Sequence, residues 1–307
     1  MKKIIFIIPP DFELLDVAGP AQVFNEAKFF GLEISIEFYA MQNDSISSVG
    51  LPIGTIKNYK KALPKQEDFI IIPGIHFENL AKYQEREVMF INWLKEQAKK
   101  GINICAMSNA AFLLGEAGLL DNRECTTFWR RIDRMKKSFP KAKVLTDVLF
   151  VKSDNIYTSA GISASIDVAL SILEELKDPL FTNKIARSLV IYHRRSSNHT
   201  QQSIYLDYRN HINPKIHQVQ DFMIANIASK ITIEKLAGKV CISPRNLSRV
   251  FKKETGITII EYLTKLRVEK AKTLKNNPGY TVDFVALECG FTSARQLQRI
   301  LKKEVEV

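Results

Sequence analysis

Two different periodicities divide this chain. Over the first 192 residues, short runs of Ile, Val and Phe alternate with longer stretches whose apolar positions recur every three or four residues. The runs at 3–8, 33–40, 68–72, 102–106 and 156–158 predict strands. The stretches at 16–30, 85–100, 110–116, 162–176 and 181–192 predict amphipathic helices. Strands that are apolar at consecutive positions are buried on both faces, so the expected fold is a mostly parallel sheet with helices on either side. Ligands of such sheets bind beyond the carboxyl ends of the strands, which directs attention to the loops after Ile8, Ile72 and Met107.

Between 193 and 213 the periodicity stops. His193-Arg194-Arg195-Ser196-Ser197-Asn198-His199-Thr200-Gln201-Gln202 is polar, and the stretch reads as a linker whose basic start is within reach of a DNA backbone. From Pro214 to Val307 the pattern is all helical, and it repeats itself. Arg245-Asn246-Leu247-Ser248-Arg249-Val250-Phe251-Lys252-Lys253-Glu254 returns fifty residues later as Arg295-Gln296-Leu297-Gln298-Arg299-Ile300-Leu301-Lys302-Lys303-Glu304. In each copy a short helix, a tight turn and a second helix follow one another. Thr232 caps the first helix, with Leu236 and Ala237 inward; Ser243 caps the second, with Pro244 at its first position. In the second copy Thr281 caps the first helix, Gly290 makes the turn and Ser293 starts the next helix. Leu247, Val250 and Phe251, or Leu297, Ile300 and Leu301, form the inner faces. Arg245, Asn246, Arg249 and Lys252, or Arg295, Gln296, Gln298 and Arg299, are left outside. Arg grips guanine bidentately and Asn or Gln grips adenine, so these outer types suit groove readout. A helical bundle with a solvated basic face is the competing reading. A longer helix from Thr258 to about Lys275 joins the copies and sets them about one DNA turn, ~34 Å, apart.

Charge follows the same division. The chain of 307 residues has 44 basic and 33 acidic side chains. The stretch 214–307 holds 17 and 9 of them, a net of +8, against 27 and 24 in the first 213 residues, a net of +3. The excess points to a polyanionic partner for the tail, namely double-stranded DNA. Membrane-surface attachment by the tail is a weaker option, because lipid needs no paired recognition helices. No run approaches the length of a bilayer span, and the five-residue apolar run after Lys2-Lys3 is too short for a leader, so the expected location is cytoplasmic. Cys105, Cys125, Cys241 and Cys289 have no metal-ligand spacing and read as reduced core thiols; neither metal nor cofactor is expected.

The tail resembles the AraC/XylS family of transcription regulators. The match lies in Leu236-Ala237, Ser243 to Lys252, Thr255-Gly256, Arg267-Val268-Glu269-Lys270-Ala271 and Val285-Ala286 to Gly290-Phe291. The resemblance implies a DNA-binding domain with two helix-turn-helix units. In that family the chain continues into a Gly-x-x-Pro turn and a closing helix not present before Val307, so weaker support for the second unit is expected. The first domain resembles the PfpI-type branch of the class I glutamine-amidotransferase-like superfamily, and more narrowly the sensor half of GlxA-type regulators. The residues are Leu15-Asp16-Val17-Ala18-Gly19-Pro20, Pro73-Gly74, Ala111 to Asp121, Thr126-Thr127-Phe128-Trp129 and Thr158-Ser159-Ala160-Gly161-Ile162. The resemblance implies a flavodoxin-like α/β sandwich over 1–192, ahead of the linker 193–213 and the all-α domain 214–307.

In catalytic relatives a Cys sits on a strained strand-to-helix elbow, with a His about twenty residues on and an acidic residue from the first loop. Here the nucleophile position reads Ser108, the His position Phe128, and the acidic position Asp16. A hydroxyl without an aligned base is a weak nucleophile, so no enzymatic activity is expected. The alternative is a PfpI-like hydrolase or amidase using Ser108, with His76 on a neighbouring loop as a remote candidate base. The expected site is a pocket lined by Asp16, Gly74, Ser108 and Asn109 that holds a small polar effector. A purely structural, dimer-forming domain competes with it, and a homodimer is expected in either case.

Overall fold

The computed structural model describes residues 1–42, 45–54, 56–75, 88–146, 148–191, 194–195, 197, 201, 204, 207–275 and 279–305. Two compact units divide the chain, Met1–Gln201 and Gln202–Val307.

In the first unit, seven strands form one sheet. They are β1 (Lys2–Ile8), β2 (Ile34–Ala40), β3 (Lys57–Asn58), β4 (Phe69–Ile72), β5 (Asn103–Ala106), β8 (Phe150–Ser153) and β9 (Ile156–Ser159). Their order is β3-β2-β1-β4-β5-β9-β8, and only β8 runs antiparallel to its neighbour. A separate parallel pair joins β6 (Glu124–Cys125) to β7 (Lys143–Val144). The two-residue side-chain period of a strand explains the apolar runs. Ile4, Phe6 and Ile8 enter one core, under helices α1 (Leu14–Phe29), α5 (Ala164–Leu176) and α6 (Pro179–Ser188). Ile5 and Ile7 enter the opposite core, under α2 (Val88–Lys99), α3 (Ala111–Glu116) and α4 (Ile132–Ser138). Phe69 and Ile71 against Ile70 and Ile72 repeat the division on β4. The strand order reverses between β1 and β4, so the loops after β1, β4 and β5 converge at one crevice.

The stretch read as a linker adheres to the units on its two sides. Arg194 bonds Glu174, and Arg195 bonds Asp167 through Nε at 3.1 Å and Ser163 Oγ at 3.0 Å. Gln201 Nε2 donates to Thr127 O at 2.9 Å and Val148 O at 3.0 Å. The basic start that reads as DNA-reaching is thus held by carboxylates of α5. Ile204 joins the core of the second unit.

Among the described residues, the regular elements of that unit are all helices: α7 (Pro214–Ala225), α8 (Ile233–Lys239), α9 (Pro244–Thr255), α10 (Ile259–Lys275), α11 (Val282–Glu288) and α12 (Ala294–Val305). The side chains that cap four of them accept from backbone N–H groups three residues on: Asn213, Thr232, Ser243 and Thr281. Thr258 and Glu261 form a reciprocal capping box at the start of α10. Gly256, at φ 79°, ends α9.

Candidate functional site

The elbow forms where β5 ends. Ser108 has φ 53°, a left-handed conformation that costs a non-glycine residue roughly 1–2 kcal/mol. Asp16, Gly74, Ser108 and Asn109 come together there. A Cβ on Gly74 would lie 2.8 Å from Asp16 Oδ2, 2.8 Å from Ser108 Cβ and 3.3 Å from Asn109 Oδ1. The polar atoms of Asp16 and Asn109, however, face the protein itself. Asp16 is fully buried and accepts from Gly74 N at 3.0 Å, Ile162 N and the Ser165 hydroxyl. Asn109 grips Ile75 twice, accepting from its N–H at 2.8 Å and donating to its carbonyl at 2.6 Å. The two backbone amides of the Gly74-Ile75 loop are therefore already taken and do not form an oxyanion site. Burial pushes the Asp16 carboxyl up to about 6, and its three donors hold it below where burial alone would put it.

Gly161 packs against the elbow. At φ 80° it lies so near Ser108 that a Cβ would stand 2.2 Å from the serine Cβ. Thr127 Oγ1 donates to Ser108 O at 2.9 Å, and the next residue along the chain is Phe128, whose phenyl ring offers no proton acceptor. His76 lies outside the described residues. Cys105 is buried in β5, and burial raises its thiol well above the ordinary range, which removes it as a nucleophile. The roles of Ser165, Gly161 and Ile162 were not visible as site chemistry in the sequence. Their only signal was the small-residue run beginning at Thr158.

The recognition helices α9 and α12 are arranged the opposite way. Leu247, Phe251 and Leu297 are buried, and Val250, Ile300 and Leu301 pack against the same cores. Ser243, Arg245, Arg249, Lys252, Ser293, Arg295, Gln298 and Arg299 are exposed, while Asn246 and Gln296 are half-buried. Ser243 Oγ accepts from Asn246 N at 3.3 Å and Ser293 Oγ from Gln296 N at 3.2 Å. Two outer residues are not free in the way their positions imply. Asn246 Oδ1 accepts from Arg249 at 3.0 Å, and Gln296 Oε1 accepts from both the N–H and the hydroxyl of Thr292 at 2.8 Å. Open grooves flank both helices. One, of about 620 Å³, runs past Arg249, Lys252 and Lys253 to the start of α10; the other, of about 310 Å³, lies among Ser293, Arg295 and Arg299.

The connector α10 grips the loop after α7 and the end of α11. Arg267 donates to Ile227 O at 3.0 Å and Ser229 O at 2.9 Å, beyond the end of α7. Lys270 donates to Glu288 O at 2.8 Å, at the end of α11. Cations at helix carboxyl ends complete unpaired carbonyls and oppose the helix dipole. The turns of the two copies differ. Cys241 occupies the first at φ 52° and is exposed, which corrects its reading as a core thiol; Cys105, Cys125 and Cys289 are buried. Gly290 occupies the second at φ 75°, where a Cβ would stand 2.8 Å from Ile227 O and 2.9 Å from Ala228 O.

Comparison with known proteins follows this division. The model of the DJ-1/PfpI family matches residues 2–175, and a helix-turn-helix domain model matches 236–307. The HTH-type transcriptional regulator CdhR of Pseudomonas aeruginosa is 28% identical over 297 residues, 96% of this chain and 86% of its own length. The HTH-type transcriptional regulator GlxA of Rhizobium meliloti is 24% identical over 210 residues, 68% of this chain and 64% of that protein. In structure, an AraC family transcriptional regulator from Pseudomonas putida superposes with a TM-score of 0.53 at 17% identity, covering 62% of this chain and all of that one. Among the described residues no helix is long and apolar enough to cross a membrane. One family model spanning more than half of the sequence, with a helix-turn-helix domain behind it, establishes that the chain belongs to the DJ-1/PfpI family, in the branch built as DNA-binding transcription regulators of the HTH type.

Proposed function

We propose that this chain is a cytoplasmic, homodimeric regulator that reads duplex DNA through α9 and α12 and whose first domain binds a small effector without turning it over. The observation that carries the proposal is the outward guanidinium face of both recognition helices, each held by a buried apolar face and a serine cap. Arg245, Arg249, Arg295, Gln298 and Arg299 read base edges in the major groove. Asn246 and Gln296 set the orientation of their neighbours and add base contacts only if those internal bonds exchange. Ser243, Ser293 and Lys252 meet phosphates. Selection of bound genomic fragments by the purified protein tests this, since it yields the site and its half-site spacing together. Recovery of fragments without a common sequence would overturn it.

The first domain is read as non-catalytic because Ser108 has Phe128 in place of a base and because the neighbouring carboxylate and amides are occupied. An effector at this elbow takes the Ser108 hydroxyl as its contact, the other polar atoms being engaged. Its binding shifts the population of dimer geometries that space the DNA-binding units. Ser108→Ala is expected to abolish the effector's influence on operator affinity and to leave DNA binding without effector unchanged. Loss of a hydrolytic turnover in that variant would favour the enzyme reading instead.

A further inference from the structure

The first domain carries a basic surface that the reading above leaves unused. The first 213 residues contain 27 basic and 24 acidic side chains; residues 130–137 hold five of the former and one of the latter, so the remainder carries 22 and 23. The whole positive excess of this half is thus concentrated in eight residues. They form one turn and the short helix α4, just after Thr127, which bonds the elbow. Ile132 and Met135 anchor the helix inward. Arg130, Arg134, Lys136 and Lys137 are exposed, and Asp133 is the single acid among them. Burial and the adjacent guanidiniums of Arg134 and Arg130 lower the pKa of Arg131, so the cations are crowded enough to oppose one another's charge. Trp129 is 41% exposed, with the Arg130 guanidinium 4.9 Å from its ring centroid.

Exposed cations gathered beside an exposed aromatic ring set up a local positive field that draws a polyanion. We propose that residues 129–137 form a second DNA-binding surface, on the first domain, that engages the phosphate backbone of duplex DNA independently of the recognition helices. The cations lie along an open turn and helix, which fits an extended polyanion touched at several phosphates. The proposal extends the regulator reading and rests on it for the choice of DNA over other polyanions.

The test uses the full-length protein and a 60-base-pair random-sequence duplex, with affinity followed against salt. Every cation withdrawn from a phosphate lowers the slope of log affinity against log salt by about 0.9. R130A/R134A/K136A/K137A is expected to lower the slope by about 3–4. K136E/K137E, at two exposed positions remote from the core, is expected to lower it by about 2 and decides the matter should the fourfold variant fail to fold. R249A/R299A serves as the comparison: it weakens binding through the other unit and leaves the slope change from K136E/K137E intact. A wild-type slope in K136E/K137E overturns the second surface while leaving the regulator reading standing. Absence of any salt-dependent duplex binding by the wild-type protein overturns both. Loss of binding to phosphatidylglycerol vesicles in K136E/K137E, with an unchanged duplex slope, assigns the surface to lipid and overturns the DNA proposal.

Discussion

The elbow and the recognition helices put their polar side chains to opposite ends. At the elbow Asp16 and Asn109 are turned inward and their hydrogen-bonding capacity is taken up by Gly74, Ile75, Ile162 and Ser165. On α9 and α12 the arginines stand in solvent, and what holds them in place is the apolar face beneath. A buried polar group that is satisfied by its own fold contributes to the architecture and has little left for a ligand. An exposed one contributes little to stability and keeps its chemistry for a partner. This difference separates substitutions that should unfold the protein from those that should only blind it to DNA.

The largest effect is expected at Asp16. Asp16→Ala orphans three donors in a closed site, and urea unfolding should show a loss of about 3–5 kcal/mol. An exposed recognition arginine replaced by alanine should stay within about 0.5 kcal/mol on the same measurement. Asp16 also gives the elbow a pH signature. A carboxyl whose pKa is about 6 in the folded protein and near 4 when unfolded holds its proton more tightly folded. Its contribution is therefore complete below about pH 4 and is lost as pH rises through about 6, an effect of up to about 3 kcal/mol. Asp16→Asn removes that dependence, so its stability relative to wild type should improve steadily from pH 4 to 6 and level off above. A constant difference over that range would mean that folding does not raise the carboxyl's pKa.

Within the DNA-binding unit the two copies differ in turn and support. Among the described residues, the core that the first shares with α7 and α10 has fourteen buried side chains and that of the second seven; the second leans on Lys270 and on the close backbone approach at Gly290, beside Arg267. Gly290→Ala places a methyl against two carbonyls at positive φ and should cost about 2–3 kcal/mol in thermal unfolding. Arg249→Ala should weaken operator binding by about 1–3 kcal/mol and relax base preference at one position, as read by competition among operator variants. The smallest effect is expected at Cys241. Cys241→Gly relieves a left-handed cysteine in an open turn and should raise stability by up to about 1 kcal/mol. A loss there would show that the cysteine side chain has a packing role of its own.

Much of this was legible because period and capping are local. The apolar runs placed β1, β2, β4, β5 and β9 to within a residue at their ends, and Thr232, Ser243 and Thr281 marked their helices. β8 is absent from that pattern: Phe150–Ser153 is a four-residue edge strand, and its only sequence signal is the Asp154-Asn155 turn that folds it back onto β9. The helix read over 181–192 begins at Pro179, capped by Asp178, and ends at Ser188. The elbow residues were identified by position, whereas their occupancy was not. That Asp16 reaches Ser165, or that Asn109 clasps Ile75, depends on contacts across 149 and 34 residues that no periodicity encodes. For the same reason Arg267 read as a family motif, and its grip on Ile227 and Ser229 came from the folded chain.

The most direct test of two outward recognition helices is the ratio of affinities for a genomic fragment the protein selects and for random duplex of equal length, measured with the full-length chain at one moderate salt concentration. The expected ratio is at least about a thousand, falling by about tenfold or more in Arg249→Ala. Equal affinity for both duplexes would contradict it.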